Sequence, residues 1–222
     1  VPIVSIFGGP RWGKGSLLLR VRERAERLQR GVAIVSLREA LRDRGNLDAA
    51  QVFQTIFDEM SSGAAEWREK PSLDEVLREG GAILRKLRSG AGRAPPLLLL
   101  DDVDVLIDAL SHAEQLSRVY SALYDATRKG MMHVWLASSG LLPHLAYVSN
   151  LFGTAENIDL QPFGPSQVGQ MAAVYGVVGL TETMRDEIRH VTAGNPELIH
   201  LLFDRVMRNE NATLPEALRE LL

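Results

Sequence analysis

Lys14 stands at the end of Gly8-Gly9-Pro10-Arg11-Trp12-Gly13, a run too rich in glycine to be helix or strand. Before it, Val4-Ser5-Ile6-Phe7 reads as a short buried strand, and after it Ser16-Leu17-Leu18-Leu19 opens a helix. A strand, then Gly8, four residues, Gly13-Lys14 and a helix is the layout of a loop that wraps phosphate groups. The residue types follow from that task. Glycines let successive backbone N–H groups point inward, the helix N-terminus adds partial positive charge, and the Lys14 ammonium supplies a full charge to the outer phosphates. The candidate binding set is Gly8, Gly9, Pro10, Arg11, Trp12, Gly13, Lys14, Gly15, Ser16 and Leu17. One position departs from the common form: a hydroxyl residue normally follows the lysine, whereas here Gly15 follows and Ser16 comes one place later.

A second group with chemistry is Asp101-Asp102, closing the all-apolar run Leu97-Leu98-Leu99-Leu100. A strand without polar alternation is buried on both faces, as in the middle of a parallel sheet. Carboxylates at its C-terminal end sit where α/β sheets bind ligands, beside the loop after the first strand. In that setting Asp101 is expected to hold Mg²⁺ and Asp102 to polarise an attacking water. Two adjacent aspartates can also cap a following helix, and that reading stands beside the first.

These groups need a scaffold, and the rest of the chain supplies its pattern. Helical periodicity covers 16–29, 37–44, 48–61, 72–89 and 112–129, with Ser72 and Glu75 at the positions of a capping box. Further strands fall at Val32–Ser36, 132–137 and 157–160, with a short helix near 141–148 before the last. Alternation of apolar strands with helices implies a parallel sheet covered on both sides. Beyond Pro162, Gly164 and Pro165 only helices are expected, at 165–175, 181–192, 196–209 and 213–221. The predicted fold is α/β, a three-layer core with a five-stranded parallel sheet over residues 1–161, followed by a small all-helical domain over 162–222. Within that domain Leu198, Leu201, Leu202 and Val206 are the expected apolar stripe.

Bulk composition narrows the function classes. The 222 residues are 45% hydrophobic and 24% charged, with a net charge of −3 and a pI near 6.0, so no overall basic field advertises nucleic-acid binding. The five arginines of the first helix (Arg20, Arg22, Arg24, Arg27, Arg30) are interleaved with Glu23 and Glu26, as in a solvated face. No cysteine occurs, which excludes disulfides and thiolate metal sites. His133 and His144 lack partners at zinc-ligand spacing. No apolar run approaches the length of a membrane helix, and no signal-peptide pattern opens the chain; a cytoplasmic protein is the expectation. With no initiator Met and a helical pattern running to Leu222, the sequence is expected to be a piece of a longer protein.

Four pieces together resemble the AAA+-related STAND ATPases, including the archaeal-type ATPases and NB-ARC switch domains. Gly9-Pro10-Arg11 ahead of Gly13-Lys14 is similar to that group's P-loop, and Leu98-Leu99-Leu100-Asp101-Asp102-Val103 to its Walker B strand. Ser138-Ser139-Gly140 looks like its sensor 1, and Gly194-Asn195-Pro196 like the G-x-P motif of its helical lid. The resemblance implies ATP or ADP as ligand, with Pro196 near the phosphates and Ser138 or Ser139 sensing the γ-phosphate. Mg²⁺ would be held by Ser16 and Asp101, and slow hydrolysis would use Lys14 and Asp102. It implies output to further domains of the same protein or to a homo-oligomer. Arg185 and Arg189 are candidates for a sensor 2 or for a solvated face. Trp12 either covers a nucleotide or fills a gap beside the loop, and Arg11 either reaches a phosphate or neighbouring subunit or is a surface arginine. No Lys or Arg occurs between Gly130 and Met184, so the arginine finger of fast AAA+ motors has no counterpart there.

Three rivals stay open. Gly-Lys-Gly-Ser is also similar to the loop of nucleoside monophosphate kinases, which implies phosphotransfer. A non-hydrolysing scaffold that binds nucleotide only structurally or not at all is the second, and a DNA-linked AAA+ ATPase with its DNA-reading parts elsewhere is the third.

Overall fold

Four largely apolar runs and one polar edge segment form the strands β1 Ile3–Phe7, β2 Val32–Ser36, β3 Leu97–Asp101, β4 His133–Ser138 and β5 Glu156–Asp159, the last being the polar one. In the computed structural model they make one all-parallel sheet in the order β2-β3-β4-β1-β5. The structure describes residues 2–42, 47–61, 71–89, 94–110, 113–139 and 153–208. Gly140 and the helices expected at 141–148 and 213–221 lie outside them.

Register decides what each strand residue faces. Val35, Leu100, Leu136 and Ser5 form one row across four strands, and Ile34, Leu99, Trp135 and Val4 form the next. Alternate rows point to opposite sides. The first row packs into a core shared with α3 Ala49–Ser61, α4 Leu73–Ser89 and α6 Ala113–Arg128, where Phe53, Ile56, Tyr120 and Leu123 are buried. The second row belongs to the side of α1 Lys14–Arg27, which packs on β2, β3 and β4 through residues including Leu18 and Ala25. Leu97 to Leu100 are each at most 3% exposed, so each contributes about 1.5–3 kcal/mol of burial. The α/β core with its five-stranded parallel sheet is as the periodicity predicts.

Local signals explain most helix ends. Ser72 Oγ accepts the Glu75 N–H at 3.3 Å while Glu75 Oε2 accepts the Ser72 N–H at 2.9 Å, the reciprocal capping box expected at α4. The outer arginines of α1 pair along the helix, Arg20 with Glu23, Arg22 with Glu26 and Arg27 with Glu23. Two differences from expectation have simple causes. The helix α2 is only Leu37–Ala40, and a short helix α5, Val105–Ala109, follows β3 because Leu106 and Ala109, three apart, are both buried.

By chain contacts the molecule divides into two units, one of residues up to Gly8 with Lys14–Asp159, the other of Gly9–Gly13 with the residues from Leu160 onward. The second unit holds three helices among its described residues, α7 Pro165–Val174, α8 Glu182–Val191 and α9 Pro196–Arg208. Its core is Val168, Ala172, Leu180, Ile188, Ile199, Leu202 and Phe203. The buried stripe of α9 is therefore rotated from the one expected. Ile199, Leu202 and Phe203 point inward and Leu201 is 44% exposed; both stripes keep helical spacing, and packing with Val168, Ala172 and Ile188 selects the face that holds 199, 202 and 203.

Candidate functional site

Phe7 is the last residue of β1 and Lys14 the first of α1, so the glycine loop spans the carboxyl end of a central strand. Lys14 is only 8% exposed and its Nζ donates to the Gly8 carbonyl at 2.9 Å. Burial pulls the ammonium below the usual lysine range, while the fields of Asp101, Asp104 and Asp102 push it back up. A lysine in that position is held beside the backbone of its own loop rather than ranging through solvent, which suits a fixed point charge for an anion.

Three carboxylates stand at the end of β3. Asp101 continues the parity of Leu97 and Leu99 and so faces α1; burial raises its pKa, and the hydrogen bond from the Asp102 N–H to its Oδ1, 3.0 Å, lowers it. Asp102 has a left-handed backbone, φ 55°, which aspartate tolerates better than most residues. Its carboxylate takes two bonds from Arg38 in α2, Nε to Oδ2 at 3.1 Å and Nη2 to Oδ1 at 3.3 Å. That bond holds the Arg38 pKa above its usual value. The pair is solvent-exposed on the arginine side, so it is worth at most about 1 kcal/mol of stability. Its consequence is geometric: it fixes where the Asp102 carboxylate lies.

Asp104 and Arg38 were not found from the sequence. Asp104 Oδ2 accepts the Ser139 hydroxyl at 2.6 Å, and its Oδ1 is buried with no hydrogen-bond partner among the described residues. The Val103 N–H donates to the Ala137 carbonyl at 3.0 Å and ties the β3 end to the β4 end. The i, i+2 spacing of Asp102 and Asp104 was a legible signal. Arg38 had none until β2 was known to neighbour β3. At the end of β4, Ser138 is fully buried and its Oγ also lacks a partner. A buried hydroxyl without a bond costs about 1–3 kcal/mol, and such groups in a native fold mark places with another use. Of the expected sensor pair, Ser138 lies in the sheet and Ser139 is exposed against Asp104.

Leu17 is half-buried in α1, and Trp12, Arg11, Pro196, Arg185 and Arg189 belong to the second unit. Trp12 folds back on the loop so closely that a Cβ at Gly9 would lie 2.8 Å from its ring, which favours the gap-filling reading. Arg11 has φ 64°, and its Nε lies 3.4 Å from Glu197 Oε2. Pro196 is buried at the start of α9, where Asn195 Oδ1 accepts the N–H groups of Glu197 and Leu198 at 2.9 and 3.3 Å. Arg185 is half-buried against α7 at Gly169, and Arg189 is exposed.

The fit to a divalent cation is poor on the chain's own geometry. Residue 15 is the one that faces Asp101: a Cβ there would lie 2.9 Å from Asp101 Oδ2. Ser16, about 100° further round the helix, is exposed. Among the described residues no group of three or more His, Asp or Glu side chains is arranged to hold a metal.

Compared with solved structures, the chain is similar to a Walker-type ATPase of Pyrococcus abyssi, with a TM-score of 0.69, 19% identity, and 99% of this chain matched to 66% of that one. It is similar to the ORC2 protein of Aeropyrum pernix in complexes with ADPNP and ADP, with a TM-score of 0.65, 15% identity, and coverage of 99% and 61%. It is also similar to the replication initiator DnaA bound to AMPPCP and single-stranded DNA, at 0.58, 16%, 92% and 54%. At these identities the likeness carries the fold, that of an α/β P-loop NTPase, and the chain spans only 54% to 66% of the length of those proteins. No family model matches the chain, and no curated protein does.

Proposed function

We propose that this chain is the nucleotide-binding ATPase module of a larger AAA+-like protein of the STAND type, a slow ATP hydrolase that works as a conformational switch. The observation that carries the reading is Lys14, buried at the end of the glycine loop in the field of three carboxylates, Asp101 at the end of β3 and Asp102 and Asp104 just beyond it. Fold likeness to a Walker-type ATPase and to nucleotide-bound ORC2 and DnaA supports it.

In this reading Lys14 and the inward N–H groups of Gly8 to Ser16 bind the phosphates of ATP or ADP, helped by the N-terminus of α1. Ser138 reports on the terminal phosphate; its buried Oγ, without a partner among the described residues, supports that role. Asp102 is the base that orients water, and the two hydrogen bonds it accepts from Arg38 hold it back. Hydrolysis is slow for that reason, and because residues 131–183 offer no lysine or arginine to stabilise transition-state charge. Pro196 and the helical unit carry the nucleotide state onward, to further domains or to a second copy of the chain. A cytoplasmic location goes with this reading; among the described residues no helix is long and apolar enough to cross a membrane.

Phosphate release from ATP, measured with and without an added nucleoside monophosphate, tests the assignment. Slow release that the monophosphate leaves unchanged is expected. Transfer of phosphate to the monophosphate would make the chain a kinase, and binding without release would make it a scaffold.

A further inference from the structure

The notch at residue 15 says more than that a hydroxyl is missing. Asp101 reaches into the space a side chain at 15 would fill, so that even a Cβ would meet Oδ2 at 2.9 Å. Its other oxygen is held from behind by the Asp102 N–H. Supplying a hydroxyl ligand from position 15 would require this carboxylate to leave its place. The neighbouring acids are partly engaged, Asp102 by both arms of Arg38 and Asp104 through Oδ2 alone by the Ser139 hydroxyl, its Oδ1 having no partner among the described residues. A magnesium ion in a P-loop site draws on a hydroxyl after the lysine and a carboxylate on the adjacent strand, in a near-octahedral oxygen shell that tolerates little distortion. Here the first ligand is absent and the second is packed into the space that ligand would occupy.

We infer that this site gives the divalent cation no ligand of its own and binds its nucleoside polyphosphate equally well with or without that cation. Asp101 serves to seat the first turn of α1 and so to place Lys14, and the divalent cation adds little to binding. The positive charge that meets the phosphates comes from Lys14, the loop N–H groups and the helix end. The inference rests on the nucleotide-binding reading above and narrows its ligand class.

The test is calorimetric titration of ADP into the wild-type chain in excess magnesium chloride and again in excess EDTA. The two dissociation constants are expected to agree within about fivefold. Weakening by more than that in EDTA overturns the inference and leaves the nucleotide reading intact. No binding in either buffer overturns both. A second readout uses Mn²⁺ as probe: the paramagnetic resonance signal of free Mn²⁺ in a solution of ADP should be unchanged when the protein is added. A fall in that signal, from manganese captured on the protein–ADP complex, would contradict the inference without any reference to hydrolysis. Gly15→Ser offers the complementary arm, with a larger magnesium dependence than wild type expected; the wild-type ratio decides the matter even if this variant does not fold.

Discussion

The amino and carboxyl ends of the same parallel sheet are built from different chemistry. At the amino ends the backbone closes on itself: the Leu97 N–H donates to Gly31, that of His133 to Pro96 and that of Val134 to Pro2, at 2.8, 2.8 and 2.9 Å. At the carboxyl ends the chain carries a left-handed aspartate at 102, a buried lysine, and buried atoms of Ser138 and Asp104 without partners. Each of the latter costs stability, on the order of 1–3 kcal/mol. The strands between the two ends supply the burial that offsets it. The amino end has one such atom too, Arg30 Nη2, without a partner among the described residues; the carboxyl end combines two of them with a left-handed aspartate and a buried lysine, which supports the proposal that a ligand binds there.

That contrast can be broken deliberately. Leu99→Ala, midway along β3, should cost about 2–5 kcal/mol of unfolding free energy in a denaturant melt, with nucleotide affinity unchanged while the protein stays folded. Lys14→Ala should do the reverse. Nucleotide affinity should fall by about 100-fold or more, close to 3 kcal/mol, and stability should change far less than in Leu99→Ala, because the relieved desolvation of the ammonium offsets its lost attraction to Asp101, Asp102 and Asp104. If Lys14→Ala unfolds the protein instead, the carboxyl end is not the separable functional end described above. Arg38→Ala should leave stability within about 1 kcal/mol, because the pair is exposed, and should raise the phosphate-release rate by freeing Asp102. A slower rate would make Arg38 a support for the base rather than a restraint.

The smallest effect belongs to the amino end. Burial, and then the nearby Arg30 charge, hold the His133 pKa below its usual value. On acidification the unfolded chain therefore takes up the proton first. The folded protein keeps its full margin above about pH 6.5, and the His133 contribution to stability is lost as pH falls below it. Urea melts at several pH values should show that slope, and His133→Asn should flatten it.

The same two ends differ in how far the sequence announces them. Strands were legible because Leu97–Leu100 and its neighbours are apolar without alternation, and the glycine loop because its backbone task restricts residue types. Sheet order was not legible: crossovers place β4 between β1 and β3, and no local pattern encodes that. Arg38 therefore stayed hidden, since its partner is 64 residues away on a strand whose neighbour was unknown. Asp104 was within reach, two residues past Asp102, but a third acid in a row reads as a helix start until Ser139 is seen beside it. The α9 stripe was misplaced by one face because six of its residues, Leu198 to Val206 excluding His200 and the Asp204-Arg205 pair, are apolar or aromatic, and only packing against α7 and α8 selects among them.

The measurement that bears most directly on the central claim is calorimetric titration of ATP and of ADP into wild type and Lys14→Ala side by side. Micromolar binding by wild type, lost in the variant while its unfolding transition is little changed, is the predicted result. Equal affinities in the two proteins, or no binding by wild type, would contradict it.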